Sequence, residues 1–438
     1  MEPVKIGLLG LGTVGGGTVN VLARNREEIA RRAGRAIEVV HASVRDLGKP
    51  RICSLEGIKL TDRPMAVVDD QEVSIVVELL GGTDVARELT LHAIDQGKHV
   101  VTANKALIAL HGNEIFDAAR SQGVMVAFEA AVAGGVPIIK AIREGLSGNR
   151  IEWIAGIING TSNFILSEMR DKGQRFDEAL AQAQRLGYAE ADPSFDVEGI
   201  DAAHKLAILA AIAFGKPLAF DKVYTEGIAE VTQEDLQHAE QLGYRIKHLG
   251  IARRTGEGVE LRVHPTLIPE RCLIANVNGV MNAVLVKADA VGLTLYYGAG
   301  AGAEPTASAV VADLVDVVRA LTTDPENRVP HLAFQPDAIS HLPMLSIDDA
   351  ETAYYLRMLA EDRPGVLAEV ATILGNAGIS IEAMVQPEPP QGASQARLIM
   401  LSHRVRERQM NIALEQIEAL DSISGKVTRI RVEQLDGD

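Results

Sequence analysis

The chain has 438 residues, room for roughly three domains of about 150 residues each, and its 47% hydrophobic content supplies several packed cores. A net charge of −16 speaks against nucleic acid, whose phosphates need clustered Lys and Arg, and against docking on an anionic membrane. Two cysteines, Cys53 and Cys272, make neither a disulfide framework nor a zinc site; no apolar run reaches the roughly 20 residues of a membrane span; no leader is expected ahead of the first motif. The expected compartment is therefore the cytoplasm.

The first element is an apolar strand in "VKIGLLGLGTVG", residues 4 to 15, which meets Gly10-x-Gly12-x-x-Gly15 and then a helical segment. Glycines in that place let the backbone turn tightly and approach a pyrophosphate, which sits on the free amides of the helix start. Gly10, Gly12, Thr13, Val14 and Gly15 are thus the candidate cofactor loop. A plain glycine turn is the bland alternative, and the strand–turn–helix setting argues against it. The second strand, from about Ala36, ends near Arg45 and Asp46. Arg45 offers a planar fork to a 2′-phosphate, which favours NADP; Asp46 would favour NAD by holding the ribose hydroxyl.

Strands and helices then alternate through "VSIVVELLGG", "DVARELTLHAIDQGK", "HVVTANKALIAL" and "VMVAFEAAV". Near-continuous apolar strands imply burial on both faces, hence an α/β, Rossmann-type doubly wound parallel sheet over roughly the first 150 residues. Lys105 follows the strand "HVVTA" at the end where such sheets bind ligands, although a solvated lysine opening a helix reads equally well. In "FEAAVAGGVP" small residues leave carbonyls accessible after Glu129, a setting for a hard cation or simply a tight turn.

Beyond about residue 150 the pattern changes. A strand ends at "NGTSN", where Thr161, Ser162 or Asn163 is placed to cap the next helix, and two helical stretches follow. The acidic loop "GYAEADPSFDVEG" then leads into "IDAAHKLAILAAIAFG", an apolar helix that carries Asp201 and Lys205 on one face, four residues apart. An exposed pair of this kind contributes only about 0.3–0.5 kcal/mol, too little to explain charges on a core helix. Carboxylates that hold a substrate ammonium, with a lysine that addresses the reacting oxygen, explain them better. A lysine near its usual pKa of about 10.4 carries a proton at neutral pH for an oxygen gaining charge as hydride arrives. His204 is the rival donor, but its neighbouring position turns it to another side of the helix. "NVNGVMNAVLVKADAVGLTLYYG" reads as paired strands.

The motifs "TANKALIA", "EAAVAGGVPII", "GTSNFI" and "GYAEADPSFDVEGIDAAHKLAIL" resemble those of the homoserine dehydrogenase family, in the family's order, across about residues 1 to 320. The resemblance implies NAD(P)-dependent interconversion of L-aspartate 4-semialdehyde and L-homoserine, on the way to threonine, methionine and isoleucine. It implies Lys205 as proton donor, Lys105 near nicotinamide and substrate, and Glu190, Asp196 and Asp201 as substrate binders. It also implies a sodium site at Glu129, Val132, Gly134 and Val136, closure of Gly300 and Gly302 over the cofactor, and a homodimer or homotetramer through the middle domain.

A Pro-rich linker follows, and beyond it the chain reads strand–helix–strand–strand–helix–strand, a ferredoxin-like βαββαβ unit. "DRPGVLAEV" and "GNAGISI" resemble the ACT domain, an amino-acid-sensing module, with Gly365, Asn376 and Ile379 where an effector sits. In this family that tail implies feedback by L-threonine; a dimerisation module that binds nothing is the alternative. The expected organisation is a dinucleotide domain over 1–133, an α+β catalytic and dimerisation domain over 134–322, a linker over 323–350 and the ACT domain over 351–438. Of two rival functions, aspartate-semialdehyde dehydrogenase is rejected, since it needs a cysteine nucleophile that neither cysteine's surroundings support; the alternative is a non-catalytic ACT-containing sensor of an amino acid or nucleotide, against which Lys105, Glu190, Asp201 and Lys205 speak.

Overall fold

The structure, a computed structural model, describes residues 2–388 and 394–435; the remainder of the expected 351–438 module, 389–393 and 436–438, lies outside the described residues. Two compact units form, each discontinuous in sequence. The first comprises Met1–Gly160, Ile200–Val223 and Val280–His341; the second comprises Thr161–Gly199, Tyr224–Gly279 and Leu342–Asp438.

The first unit is built on a six-stranded parallel sheet of β1 (Val4–Leu9), β2 (Ile37–Ser43), β3 (Lys59–Thr61), β4 (Ile75–Glu78), β5 (His99–Thr102) and β6 (Val126–Ala127). Their order is β3-β2-β1-β4-β5-β6. Every residue of β4 is buried, as are all but His99 of β5, which is why these strands read as unbroken apolar runs. The order reverses between β1 and β4, so a crevice opens at the carboxyl ends of the strands there.

Helix α1 (Thr13–Arg24) leaves the end of β1 and packs against the helix Ala303–Ala320. Gly17 permits that contact, because a Cβ there would lie 2.5 Å from the Ala303 carbonyl oxygen. Val310, Leu314 and Val317 thereby join the core formed by Ile6, Leu8 and Val19. The stretch 303–320, counted by sequence within 134–322, thus returns to the dinucleotide sheet.

The same unit contains three antiparallel strands, Ile151–Ile157, Met281–Ala288 and Gly292–Ala299, and the helix Ile200–Phe214. From Leu206 onward that helix is buried on every side. The Pro-rich segment is anchored as well: Arg328 donates to the Gly123 carbonyl at 2.7 Å, and Lys216 to that of Ser340 at 2.9 Å.

In the second unit, strands Tyr244–Arg254 and Val259–Pro269 pair antiparallel along their whole length. The C-terminal module has the expected βαββαβ order, with strands Glu351–Glu361, Ile381–Val385, Gln395–Ser402 and Ile423–Val432 arranged fourth–first–third–second. Its last strand adds in parallel to Val259–Pro269 at Thr266↔Arg431 and Leu267↔Val432.

The capping expectation for Thr161, Ser162 and Asn163 fails. The helix Gly160–Lys172 begins before them, and they are buried inside its first turn. Their side chains tie down loops instead: Thr161 donates to the Tyr188 carbonyl, Ser162 to that of Asp196, and Asn163 to those of Val277 and Gly279. Among the described residues no helix is long and apolar enough to cross a membrane.

Candidate active site

The glycine loop shows a division of labour. Gly10 has φ +101°, and a Cβ on it would lie 2.8 Å from the Leu79 carbonyl oxygen; one on Gly15 would lie 2.3 Å from the Gly10 carbonyl oxygen. Both glycines serve the turn itself. Gly12 differs, since a Cβ there meets no protein atom within 4 Å. It is exposed, precedes α1, and gives the helix start no side-chain cap, so the first amides are available to an anion. Thr13 is exposed and Val14 half-buried beside it. This open, uncapped helix start fits a dinucleotide pyrophosphate.

Arg45 and Asp46 both lie past the end of β2 and are exposed. A second arginine, unremarked in the sequence, reaches the loop: Arg51 donates to the Leu11 carbonyl at 3.4 Å and to that of Asp46. Gly302, with φ +118°, precedes the helix Ala303–Ala320, whose Glu304 pairs with Arg24 at 2.7 Å.

Lys105 opens the helix Lys105–Gln122 immediately after β5. Its approach is fixed by a chain of hydrogen bonds. Asn104 caps the helix by accepting from the Leu107 amide at 3.0 Å, and the Asn104 amide donates to the Thr102 hydroxyl at 2.9 Å. Thr102 donates in turn to the buried Glu78 carboxyl at 2.6 Å. Burial pushes Glu78 upward, since only neutral donors answer it.

Asp201 brings the two lysines together. Its Oδ1 lies 3.0 Å from Lys105 Nζ, and its Oδ2 lies 2.7 Å from Lys205 Nζ. Asn159, at the end of the strand Ile151–Ile157, donates to Oδ2 at 2.8 Å, and Lys205 also donates to the Ile158 carbonyl at 2.7 Å. Burial alone would raise the Asp201 carboxyl, yet Lys205 and Lys105 hold it well below the usual carboxylate range. Lys205 is 11% exposed and Lys105 34%, so two cations converge on one buried anion at the edge of solvent.

His204 is buried with its ring 4.3 Å from that of Phe220, and burial lowers its pKa first, which keeps it neutral. Glu190 and Asp196 belong to the second unit. Glu190 is exposed, with its carbonyl accepting from Gln184, while the half-buried Asp196 receives Ser162 on its carbonyl.

In the first unit, Glu129 follows β6 in a short 3-10 turn. Its carboxyl oxygens accept the Ile139 and Lys140 amides at 2.9 and 2.7 Å, and its backbone carbonyl accepts the Val132 amide at 3.4 Å. Ala133 and Gly134 have φ of 55° and 50°, and a Cβ on Gly134 would lie 2.5 Å from the Gly300 carbonyl oxygen. Among the described residues no group of three or more His, Cys, Asp or Glu could hold a metal. A cation at Glu129, Val132, Gly134 and Val136 would therefore rest on backbone carbonyls, chemistry that suits a hard monovalent ion.

Asn159, Glu78 and Arg51 escaped sequence reading, because no spacing rule links them to the glycine or lysine motifs; for Asn159 and Glu78 the position at or just past a strand's carboxyl end was the available signal, and for Arg51, in the loop between β2 and β3, there was none.

Comparison with known proteins gives the family. The family models described as "Homoserine dehydrogenase, NAD binding domain", "Homoserine dehydrogenase" and "ACT domain" match residues 10–129, 137–315 and 354–422. The homoserine dehydrogenase of Pseudomonas aeruginosa is 66% identical over 435 residues, covering 99% of this chain and 100% of that protein. The crystal structure of a homoserine dehydrogenase from Thiobacillus denitrificans superposes with a TM-score of 0.94 at 65% identity, covering 100% of this chain and 99% of that one. A hyperthermophilic archaeal homoserine dehydrogenase in complex with NADPH matches with a TM-score of 0.60 at 26% identity, over 72% of this chain and 98% of that one. The chain belongs to the homoserine dehydrogenase family of NAD(P)-dependent oxidoreductases, with an ACT domain at its C-terminal end.

Proposed function

We propose that the chain interconverts L-aspartate 4-semialdehyde and L-homoserine, with Lys205 as the acid–base group. The observation that carries this reading is the Lys105–Asp201–Lys205 cluster, two ammonium groups held on one buried carboxylate at 3.0 and 2.7 Å. A reduced nicotinamide, when bound, supplies hydride to the carbonyl carbon. The carbonyl oxygen then gains charge and takes the proton held at Lys205 Nζ; in the reverse direction Lys205 receives it. Lys105 lowers the energy of the developing charge without moving a proton. Asp201 aims both ammoniums, and so acts on the substrate through them. Glu190 and Asp196, on the acidic loop, bind the substrate's ammonium end.

The uncapped α1 start with Gly12, Thr13 and Val14 would hold the pyrophosphate, and Arg45 with Arg51 would hold a 2′-phosphate, which favours NADP over NAD. NADPH in the archaeal relative supports that preference. The carbonyls of Glu129, Val132, Gly134 and Val136 would hold sodium. The edge strand Gly292–Ala299, with Leu293 and Tyr297 exposed beside Val291, supports association of two copies through this sheet. Gly365, with φ +100° ahead of the helix Val366–Asn376, and exposed Asn376 frame a site for an L-threonine effector.

The test is turnover of aspartate semialdehyde with NADPH, followed by the absorbance of the reduced cofactor. Lys205→Met should lower kcat by about 10²–10⁴, the range of a positioned acid, with NADPH binding retained. A loss below about tenfold would remove Lys205 from the proton step. Arg45→Ala and Arg51→Ala should each reduce kcat/KM for NADPH more than for NADH. Inhibition by L-threonine that Asn376→Ala leaves unchanged would move the effector away from this site.

A further inference from the structure

Within the second unit, residues 224–228 lie between the last strand of the C-terminal module and the acidic loop 188–199. Glu226 faces the strand. Its Oε2 accepts from Arg431 Nη1 at 2.9 Å, and its Oε1 accepts from Arg429 Nη2 at 3.3 Å and from the Tyr224 hydroxyl. Arg431 is fully buried and gripped from its other side by Glu407, Nε to Oε2 at 2.8 Å, so it cannot retreat from Glu226. Burial would raise the Glu226 carboxyl, but Arg431 beside it holds it below the usual range.

The backbone of the same segment faces the acidic loop. The Ile228 amide donates to the Val197 carbonyl at 2.9 Å, and His248 Nε2 lies 2.9 Å from the Glu226 carbonyl oxygen. Gly227 leaves no slack: a Cβ there would lie 2.4 Å from the Val197 carbonyl oxygen and 2.8 Å from Glu198 Cα. The loop's exit is pinned too. Gly199 has φ +87°, and a Cβ on it would come within 3.0 Å of His248 and of Thr225.

We infer that Glu226 is a positioning residue for the substrate: clamped by Arg429 and Arg431 of the C-terminal module, it sets the segment 224–228 and through it the acidic loop that carries Glu190 and Asp196. The inference rests on the proposed role of that loop in substrate binding. Charge-assisted hydrogen bonds from two guanidiniums hold the carboxylate more tightly than neutral donors would. The strand that ends the ACT module is in this way part of the apparatus that shapes the substrate loop.

The experiment is steady-state kinetics on the full chain, varying each substrate in turn. Glu226→Ala should raise KM for L-homoserine about tenfold or more while kcat and KM for the cofactor stay within about twofold, the pattern of lost binding rather than lost chemistry. Glu226→Gln, which keeps an oxygen for Arg431, should fall between. Gly227→Ala displaces the Val197 carbonyl without touching the arginines and should give the same split, which keeps the test alive if Glu226→Ala does not fold. A substrate KM within about twofold of wild type in both Glu226→Ala and Gly227→Ala overturns the inference. Equal losses in kcat and both KM values overturn it as well. Absence of turnover in the wild type would instead defeat the proposed activity, a result distinct from either.

Discussion

Asp201 and Lys205 stand one helical turn apart, their carboxylate and ammonium 2.7 Å from one another and neither side chain more than 11% exposed. Breaking such a buried pair by removing one partner costs about 3–5 kcal/mol, and less here because the second cation, Lys105, is 34% exposed. Asp201→Asn should therefore lower stability in urea titrations and reduce kcat by at least about 10² as the ammoniums lose their aim. The carboxyl is depressed in the folded chain, so its stabilisation is complete above about pH 4 and fades as pH falls further. Asp201→Asn should remove that acid limb; a mutant whose stability still falls as steeply below pH 4 would place the acid sensitivity elsewhere.

The three loop glycines should separate binding from folding. Alanine at Gly15 would drive its Cβ to 2.3 Å from the Gly10 carbonyl oxygen, and alanine at Gly10 would need φ +101°. Both variants should melt lower, the first by several degrees. Gly12→Ala meets only open space and should keep the wild-type melting temperature. Its methyl would instead crowd an approaching pyrophosphate, so the Kd for NADPH should rise by about tenfold or more, read by fluorescence titration. Wild-type cofactor affinity in Gly12→Ala would mean the phosphates do not approach there.

The parallel sheet was legible because strands buried on both faces leave unbroken apolar runs, as in "SIVVE", and because the glycines sit between strand and helix. Asp201 and Lys205 were legible because four residues is one helical turn. Lys105 was visible as a residue after a strand and through the "TANKALIA" motif, but its salt bridge to Asp201 joins two helices far apart in the chain, and periodicity carries no such information. The same holds for Asn159 on Asp201 and for the return of 303–320 to α1. Thr161 to Asn163 misled because residues favoured as caps also serve, inside a buried first turn, as donors to neighbouring loops.

Two neutral histidines hold the approach to the Glu129 loop, and they predict an acid transition. The Met125 amide donates to His99 Nδ1 at 2.9 Å, and the Val126 amide to His331 Nε2 at 3.2 Å, with His331 stacked 4.9 Å from Phe116. An imidazole that accepts must be unprotonated, and burial lowers both to about 4. The unfolded chain then binds more protons than the folded one between about pH 6.5 and 4, so stability drops across that window as pH falls. At 1.36 kcal/mol per unit the loss is up to about 3 kcal/mol for each. His331→Gln, whose amide oxygen accepts without titrating, should flatten part of the slope in urea denaturation; an unchanged slope would show that His331 is already exposed to protonation without penalty.

Removal of the C-terminal module should destabilise the chain rather than merely silence regulation. Arg262, 1% exposed, donates to Glu433 Oε1 at 2.6 Å, and Arg253 meets the same carboxylate at 2.8 Å. Asp235, fully buried, receives Arg357 Nε at 2.7 Å and the Tyr355 hydroxyl at 3.2 Å. A chain cut near residue 345 leaves Arg262 and Asp235 without these partners and bares the strand Val259–Pro269 where Ile423–Val432 had paired. Of its carboxylate partners Arg262 would keep only Glu260 at 3.3 Å, and Asp235 would keep only Thr232 at its helix start; losing one partner of a buried pair costs up to about 3–5 kcal/mol, enough to unfold a marginal unit. The truncated protein should aggregate on size exclusion, and Arg262→Met with Glu260→Gln should recover part of its solubility by removing the poorly matched buried charges. If the truncated chain instead ran as a discrete species and melted within a few degrees of the full chain, these buried pairs would contribute little, and the module would be a detachable appendage.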